Sequence, residues 1–145
     1  MSEEPTPQRL GPLIFRVGAL QHRRIHDLLD GLGLYRGQDF VLRALWKQDG
    51  VTQSELTGLL DRCPATITKT IQRMEKAGFV ERRSDARDER VSRVYLTDAG
   101  RNVQSAVENA LHAFDERAFA GFSKEELTIL HDLLLRVCAN IEDKS

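Results

Sequence analysis

Five arginines, Arg82, Arg83, Arg87, Arg90 and Arg93, fall within a dozen consecutive residues. The chemistry open to guanidinium groups at that density is the binding of anions. Arg87 and Arg90 belong to the charged run Ser84-Asp85-Ala86-Arg87-Asp88-Glu89-Arg90, which separates two β-rich segments, Phe79 to Arg83 and Val91 to Leu96. That pattern predicts a hairpin with a polar tip. An arginine held on a narrow β-tip can enter the minor groove of DNA, where negative potential is focused. Asp85 would repel a polyanion unless it fixes the tip, by bonding local backbone amides or an arginine.

The segment just upstream supplies a second set of groups. Pro64 stands where proline is best tolerated, at the first position of a helix. The helix continues to about Ala77, where Gly78 stops it. At about 100° per residue, Ile71 and Met74 fall within about 40° of Ile67 and define a core face bordered by Thr70. The opposite face carries Ala65, Lys69, Gln72 and Lys76, flanked by Thr66, Thr68 and Arg73. No carboxylate lies at its centre, and Glu75 falls to the side. Ala65 and the threonine methyls can touch thymine methyls, while Gln72 and Arg73 can offer directed hydrogen bonds to bases or phosphates. The helix N-terminus adds its positive end. The expected DNA-binding set is therefore Pro64, Ala65, Thr66, Thr68, Lys69, Gln72, Arg73 and Lys76, with Asp85, Arg87 and Arg90 from the hairpin. A winged helix used only for protein contact would lack the basic residues Lys69, Arg73 and Lys76.

The overall charge of −1 conceals this centre. Residues 62–97 hold nine Lys and Arg against five Asp and Glu, whereas residues 98–145 hold five against nine. Phosphate responds to the local field, since charges beyond a Debye length of about 8–10 Å are largely screened.

Other reactive residues are scattered. Cys63 precedes Pro64 at the cap position, where a thiol has a lowered pKa and could sense oxidants or alkylating agents. Cys138 lies on an apolar helix stripe and is expected in a core. His22 and His26 are four apart and can share a helix face, with Asp30 a turn further and His112 as a fourth candidate metal ligand. For a small ligand, His26, Tyr35, Phe40 and Trp46 are candidates by position. No Gly-rich phosphate loop, nucleophile elbow or paired catalytic carboxylates occurs, so enzymatic chemistry is not expected, and no cofactor is implied.

Residues 1–12, with Pro5, Pro7, Gly11 and Pro12, read as an arm without regular structure. Leu13 to Leu32 carries a helical apolar stripe ended by Gly31 and Gly33. A second helix is expected over Arg36 to Lys47, with Phe40, Val41, Ala44 and Leu45 inward. Thr52-Gln53-Ser54-Glu55 is a capping box, opening a short helix with Leu56, Leu59 and Leu60 on its apolar side. Thr97 caps a long helix with Val103, Val107, Ala110, Leu111, Phe114 and Ala118 inward. After Gly121, a second capping box at Ser123 to Glu126 opens a last helix striped with Leu127, Leu130, Leu133, Leu134, Val137 and Ile141. No apolar run reaches the roughly 20 residues of a membrane span. The N-terminus has no secretion signal, and the two cysteines suggest no oxidising compartment, so a cytoplasmic location is expected.

The run from Thr52 to Arg101 resembles the MarR family of bacterial regulators. Thr52-Gln53-Ser54-Glu55-Leu56 is similar to the opening of the family's first reading-motif helix, and Pro64-Ala65-Thr66-Ile67-Thr68 to the start of its recognition helix. Arg73 to Arg82 resembles the helix exit and first wing strand, Asp85 to Arg90 the wing motif, and Leu96-Thr97-Asp98-Ala99-Gly100-Arg101 the entry to the long helix. The family commonly has serine where this chain has Cys63. The resemblance implies a mostly α fold with a small β-hairpin wing, and a homodimer whose first, fifth and sixth helices interlock. It further implies a transcriptional regulator, expected to repress, that binds a pseudo-palindromic double-stranded operator and is released by a small, often phenolic, ligand or by oxidation. The expected division is an N-terminal arm and dimerisation helix (1–34), a winged helix-turn-helix domain (35–97) and C-terminal dimerisation helices (98–145). A last helix as apolar as Leu127 to Ile141 independently calls for a covering helix, most simply from a twin subunit.

Overall fold

A computed structural model describes residues 4–142, so the first three residues of the expected arm lie outside the described residues. In chain order the elements are α1 (Pro7–Asp30), α2 (Gln38–Lys47), β1 (Val51–Thr52), α3 (Gln53–Leu60), α4 (Pro64–Lys76), β2 (Val80–Ser84), β3 (Ser92–Leu96), α5 (Asp98–Asn102), α6 (Gln104–Ala118) and α7 (Lys124–Glu142). Two compact units divide within α6, Met1–Leu111 and His112–Ser145.

In the first unit, Ile67, Ile71 and Met74 of α4 are buried as the helical period requires. They meet Leu42 and Leu45 of α2, Leu56 of α3, Val80, Val94 and Leu96 of the strands, and Val107 of α6 in one apolar cluster. Burying each such side chain is worth roughly 1.5–3 kcal/mol, which is what holds α4 at a fixed rotation with its polar face outward. The capping box of α3 closes in both directions. Thr52 Oγ1 accepts the Glu55 amide at 3.1 Å, and Glu55 Oε2 accepts the Thr52 amide at 2.8 Å.

Several expectations are corrected. The first helix begins at Pro7, not after residue 12, because Pro7 occupies the first helical position and Pro12 lies within the helix. Pro12 forgoes a backbone bond to Gln8 and crowds its carbonyl, and the helix continues through it. Phe40 and Leu59, expected inward, are 41% and 67% exposed. Leu42 takes the core position on α2 instead, and Leu34, just beyond α1, is fully buried. The wing hairpin is joined by a third strand, β1, giving the order β1-β3-β2. Val51 pairs with Val94, and Thr52 with Arg93. The long helix after Thr97 is two segments, α5 and α6, meeting at Val103. Backbone bonds nevertheless continue through the join, from Val103 to Ala99 (3.1 Å) and from Val107 to Val103 (3.1 Å). Val103 at the join and Val107 and Leu111 of α6 pack on the core, but Ala118 is exposed.

Gly100 closes this unit. A Cβ there would overlap the Phe79 carbonyl oxygen, so only glycine lets the start of α5 approach the α4–β2 corner. The Gly100 carbonyl accepts the Trp46 indole N–H at 2.9 Å. Thr97 bonds the same corner twice, from its amide to Phe79 O (3.0 Å) and from Oγ1 to Gly78 O (2.5 Å).

In the second unit, Ser123 Oγ accepts the Glu126 amide at 3.1 Å and Glu126 Oε2 accepts the Ser123 amide at 2.7 Å, so the second capping box forms as its spacing predicts. No described residue of α7 is buried. Leu127, Leu133, Leu134, Val137 and Ile141 remain exposed in the single chain. Cys138, expected in a core, is also exposed.

The Gly100 corner yields a prediction. Gly100→Ala should cost about 3 kcal/mol through overpacking. Urea unfolding followed by Trp46 fluorescence at fixed protein concentration would read this as a lower midpoint with an unchanged slope.

Candidate nucleic-acid interface

The polar face of α4 forms as its period dictates. Pro64, Ala65, Thr66, Lys69, Gln72, Arg73 and Lys76 are all exposed. Thr68 is half-buried and bonded on two sides: its hydroxyl donates to Pro64 O at 3.0 Å and accepts the Gln53 carboxamide N–H at 2.6 Å. Gln53 is a residue that sequence reasoning read only as part of a capping box. Its contact joins the first turn of α3 to the second turn of α4, and no local pattern announces it. The tight link between these helices uses Asp61 in the left-handed region (φ 46), which aspartate tolerates better than most residues.

Glu75, the acid at the edge of this face, is neutralised by Arg82 of β2 at 2.6 Å. Arg83 pairs with Glu81 and lies 4.7 Å from the Tyr95 ring centroid. Arg93 is the brace of the wing. Its Nε donates to Asp85 Oδ1 at 2.9 Å and its Nη1 to Gly50 O at 2.9 Å, tying the tip to the chain just before β1. Asp85 therefore fixes the tip through an arginine, one of the two ways its position suggested. The hydrogen bond from Arg93 holds the Asp85 carboxyl below its ordinary value. The signal was present in the sequence as two opposite charges at a diagonal spacing across the hairpin. Arg90 lies 3.7 Å from Asp88 and is almost fully exposed. Among the described residues, Arg87 has no carboxylate partner. Of the five arginines, the tip thus leaves Arg87 unpaired and Arg90 loosely held.

Cys63 occupies the α4 cap position, exposed and without a capping hydrogen bond from its side chain. The amides of Ala65 and Thr66 hold its thiol below its ordinary value.

The four candidate ligand residues separate. His26 and Phe40 line one cavity of about 330 Å³ between α1 and α2, with His22, Ile25, Arg36, Asp39 and Arg43. Tyr35 and Trp46 lie outside it: Tyr35 is exposed, and Trp46 is engaged by Gly100. Arg62 and Arg43 lie 5.5 and 6.0 Å from the Phe40 ring centroid. Burial pushes the Asp39 carboxyl up, opposed by Arg43 at 3.8 Å and by His22. Among the described residues no three His, Cys, Asp or Glu side chains converge to hold a metal ion, so His22, His26 and Asp30 of the first unit do not form such a group.

Comparison with known proteins bears on this arrangement. Residues 34–92 match the model of the MarR family. The HTH-type transcriptional regulator TtmR of Methylorubrum extorquens (strain PA1) is 32% identical over 132 residues, covering 88% of this chain and 67% of that protein. The chain belongs to the MarR family of transcriptional regulators. A second relative, the HTH-type transcriptional repressor Rv2887 of Mycobacterium tuberculosis (strain ATCC 25618 / H37Rv), is 30% identical over 111 residues, covering 77% of this chain and 80% of the repressor. A MarR-like transcription regulator from Bacillus cereus ATCC 10987 superposes with a TM-score of 0.83 at 28% identity, covering 93% of this chain and 97% of its own. A mutant of MarR from E. coli complexed with operator DNA superposes at 0.79 with 25% identity, covering 88% and 92%. This MarR-family chain thus shares its mostly helical, winged architecture with transcriptional regulators. Among its described residues no helix is long and apolar enough to cross a membrane.

The wing brace should respond to acid in one direction. Because the Asp85 carboxyl is held below its ordinary 3.8, the brace is intact at neutral pH and is lost only as pH falls through that lowered value. The Arg93 Nε–H resonance should hold steady down to about pH 4 and move below it. In Asp85→Asn it should already be displaced at neutral pH. A midpoint above 4 in the wild type would contradict the pairing.

Proposed function

We propose that this MarR-family chain is a homodimeric repressor that reads a pseudo-palindromic operator in double-stranded DNA and releases it on binding a small ligand. The carrying observation is the exposed α4 face from Ala65 to Lys76, free of carboxylates at its centre, beside a braced wing whose Arg87 has no carboxylate partner among the described residues. In this reading Ala65, Thr66, Thr68, Lys69, Gln72 and Arg73 face the major groove, with Pro64 and Lys76 at the ends of that surface. Arg87 and Arg90 reach the minor groove or its phosphates, and Asp85 serves by holding the wing. The similar fold of a mutant E. coli MarR is found complexed with operator DNA, which supports DNA as the partner.

The dimer rests on uncovered apolar surface. Within the first unit Leu10, Leu13, Ile14, Val17 and Leu20 of α1 are exposed, and within the second so is the stripe of α7. Soluble proteins rarely leave apolar patches of this extent to water. Residues 1–34 and 98–145 are assigned to dimerisation and residues 35–97 to DNA. Two-fold symmetry would set the recognition helices roughly 34 Å apart. Repression follows the relative named as a repressor. The α1–α2 cavity, apolar at Ile25 and Phe40 and polar at His26 and Arg43, suits a small aromatic effector such as a phenol. A cytoplasmic location accords with these partners.

In a gel shift against promoter fragments flanking its own gene, the chain should retard a specific duplex, with affinity falling steeply as salt rises. Arg87→Ala should weaken that complex roughly tenfold and leave the dimer unchanged by sedimentation. An unchanged affinity would assign the wing another role.

Cys63 favours a second reading, in which oxidation or alkylation also releases DNA. Its exposed thiol sits at the start of the reading helix with a lowered pKa. Iodoacetamide should modify wild type with a pH midpoint below 9.0, its ordinary value, and abolish retardation. Cys63→Ser should bind DNA before and after treatment. Equal sensitivity of both proteins would exclude Cys63 as the sensor.

A further inference from the structure

Thr68 lies on the α4 face assigned to DNA, yet its hydroxyl is already committed. A hydroxyl has one hydrogen to donate and two lone pairs. The hydrogen goes to the Pro64 carbonyl oxygen at 3.0 Å, and one lone pair takes the Gln53 carboxamide N–H at 2.6 Å. Thr68 therefore has no hydrogen left for guanine N7 or O6, for thymine O4 or for a phosphate. What it can still present to a base is its γ-methyl group and one lone pair on an oxygen fixed from both sides.

We propose that Thr68 reads DNA through its methyl group, selecting a thymine, and that Gln53 is the positioning residue that keeps it in that state. This rests on the reading of α4 as the DNA-facing helix. Gln53 belongs to the first turn of α3, which the Thr52–Glu55 capping box holds rigid. Its carboxamide reaches across to α4 from a fixed base, so the Thr68 hydroxyl cannot rotate outward without breaking two bonds. Without that tether the hydroxyl is free to leave Pro64 and turn toward the groove, where it would accept or donate to any base. The tether converts a residue that tolerates every base pair into one that prefers the base carrying a 5-methyl group.

The full chain would first select its preferred duplex from a randomised library. Failure to enrich any sequence would sink the DNA-reading proposal and this one with it. On an enriched site, each thymidine is replaced in turn by deoxyuridine, which removes only the methyl group. One position in each half-site should then weaken wild-type binding about fourfold, the worth of one buried methyl. Thr68→Val keeps the methyl, and should keep that fourfold difference. Thr68→Ser and Thr68→Ala should lose the difference, as should Gln53→Met with Thr68 present. In the Thr68→Val background, Gln53→Met should change nothing further. A Thr68→Val protein that folds and binds the enriched site but no longer distinguishes deoxyuridine from thymidine at that position would overturn the methyl reading. A Gln53→Met effect that persists in the Thr68→Val background would overturn the positioning role, because Gln53 would then act on DNA or fold independently of the Thr68 hydroxyl.

Discussion

Helix α4, the sheet and the helix that leaves it converge on one crowded corner, where the start of α5 presses on the Phe79 carbonyl. The missing side chain at Gly100 permits the approach, and four hydrogen bonds then use it: Trp46 to Gly100 O, the Thr97 amide to Phe79 O, Thr97 Oγ1 to Gly78 O and Arg101 Nη1 to Leu96 O. These part-buried and exposed bonds together fix the exit of α4 relative to β3 and α5. The outward face of α4 is defined only because this corner and the Ile67, Ile71 and Met74 contacts leave it no freedom to roll.

Charge in the middle of the chain is less available than its arginine count suggests. Arg82, Arg83 and Arg93 are engaged by Glu75, Glu81 and Asp85. These partners cancel much of the local field but fix the geometry of a thin hairpin that has little core of its own. Exposed ion pairs contribute little to stability individually. Their value here is positional: Arg82 ties β2 to α4 through Glu75, and Arg93 ties β3 to the tip through Asp85, whereas Arg83 and Glu81 pair within β2.

The elements governed by local chemistry were legible in the sequence. The capping boxes at Thr52 and Ser123, the rotation of α4 and the hairpin around Ser84 to Arg90 all follow from spacings of a few residues. What was not legible depends on partners distant in the chain. The two residues of β1 carry no strand signal and exist because β3 offers an edge. Trp46 reads as a free aromatic until Gly100, 54 positions away, takes its N–H. Phe40 reads as core by type, and only the packing of Leu42 shows that its side of α2 faces outward. Pro12 reads as a helix breaker, although the helix begun at Pro7 tolerates it. Among the site residues, the exposed face of α4 was legible from periodicity, whereas the Gln53–Thr68 and Asp85–Arg93 contacts required the fold.

The Arg93 brace has a thermodynamic consequence. A hairpin tip that is loose in the free protein must surrender its backbone freedom on docking, at roughly 1–2 kcal/mol per residue, and its association rate suffers while it searches. Here the guanidinium of Arg93 spans from Asp85 to Gly50 O, so that ordering is completed during folding. Whatever surface the tip meets, chiefly the rotamers of Arg87 and Arg90 remain to be frozen. The wing is thus a preformed probe, and the entropy lost on contact is confined to two side chains.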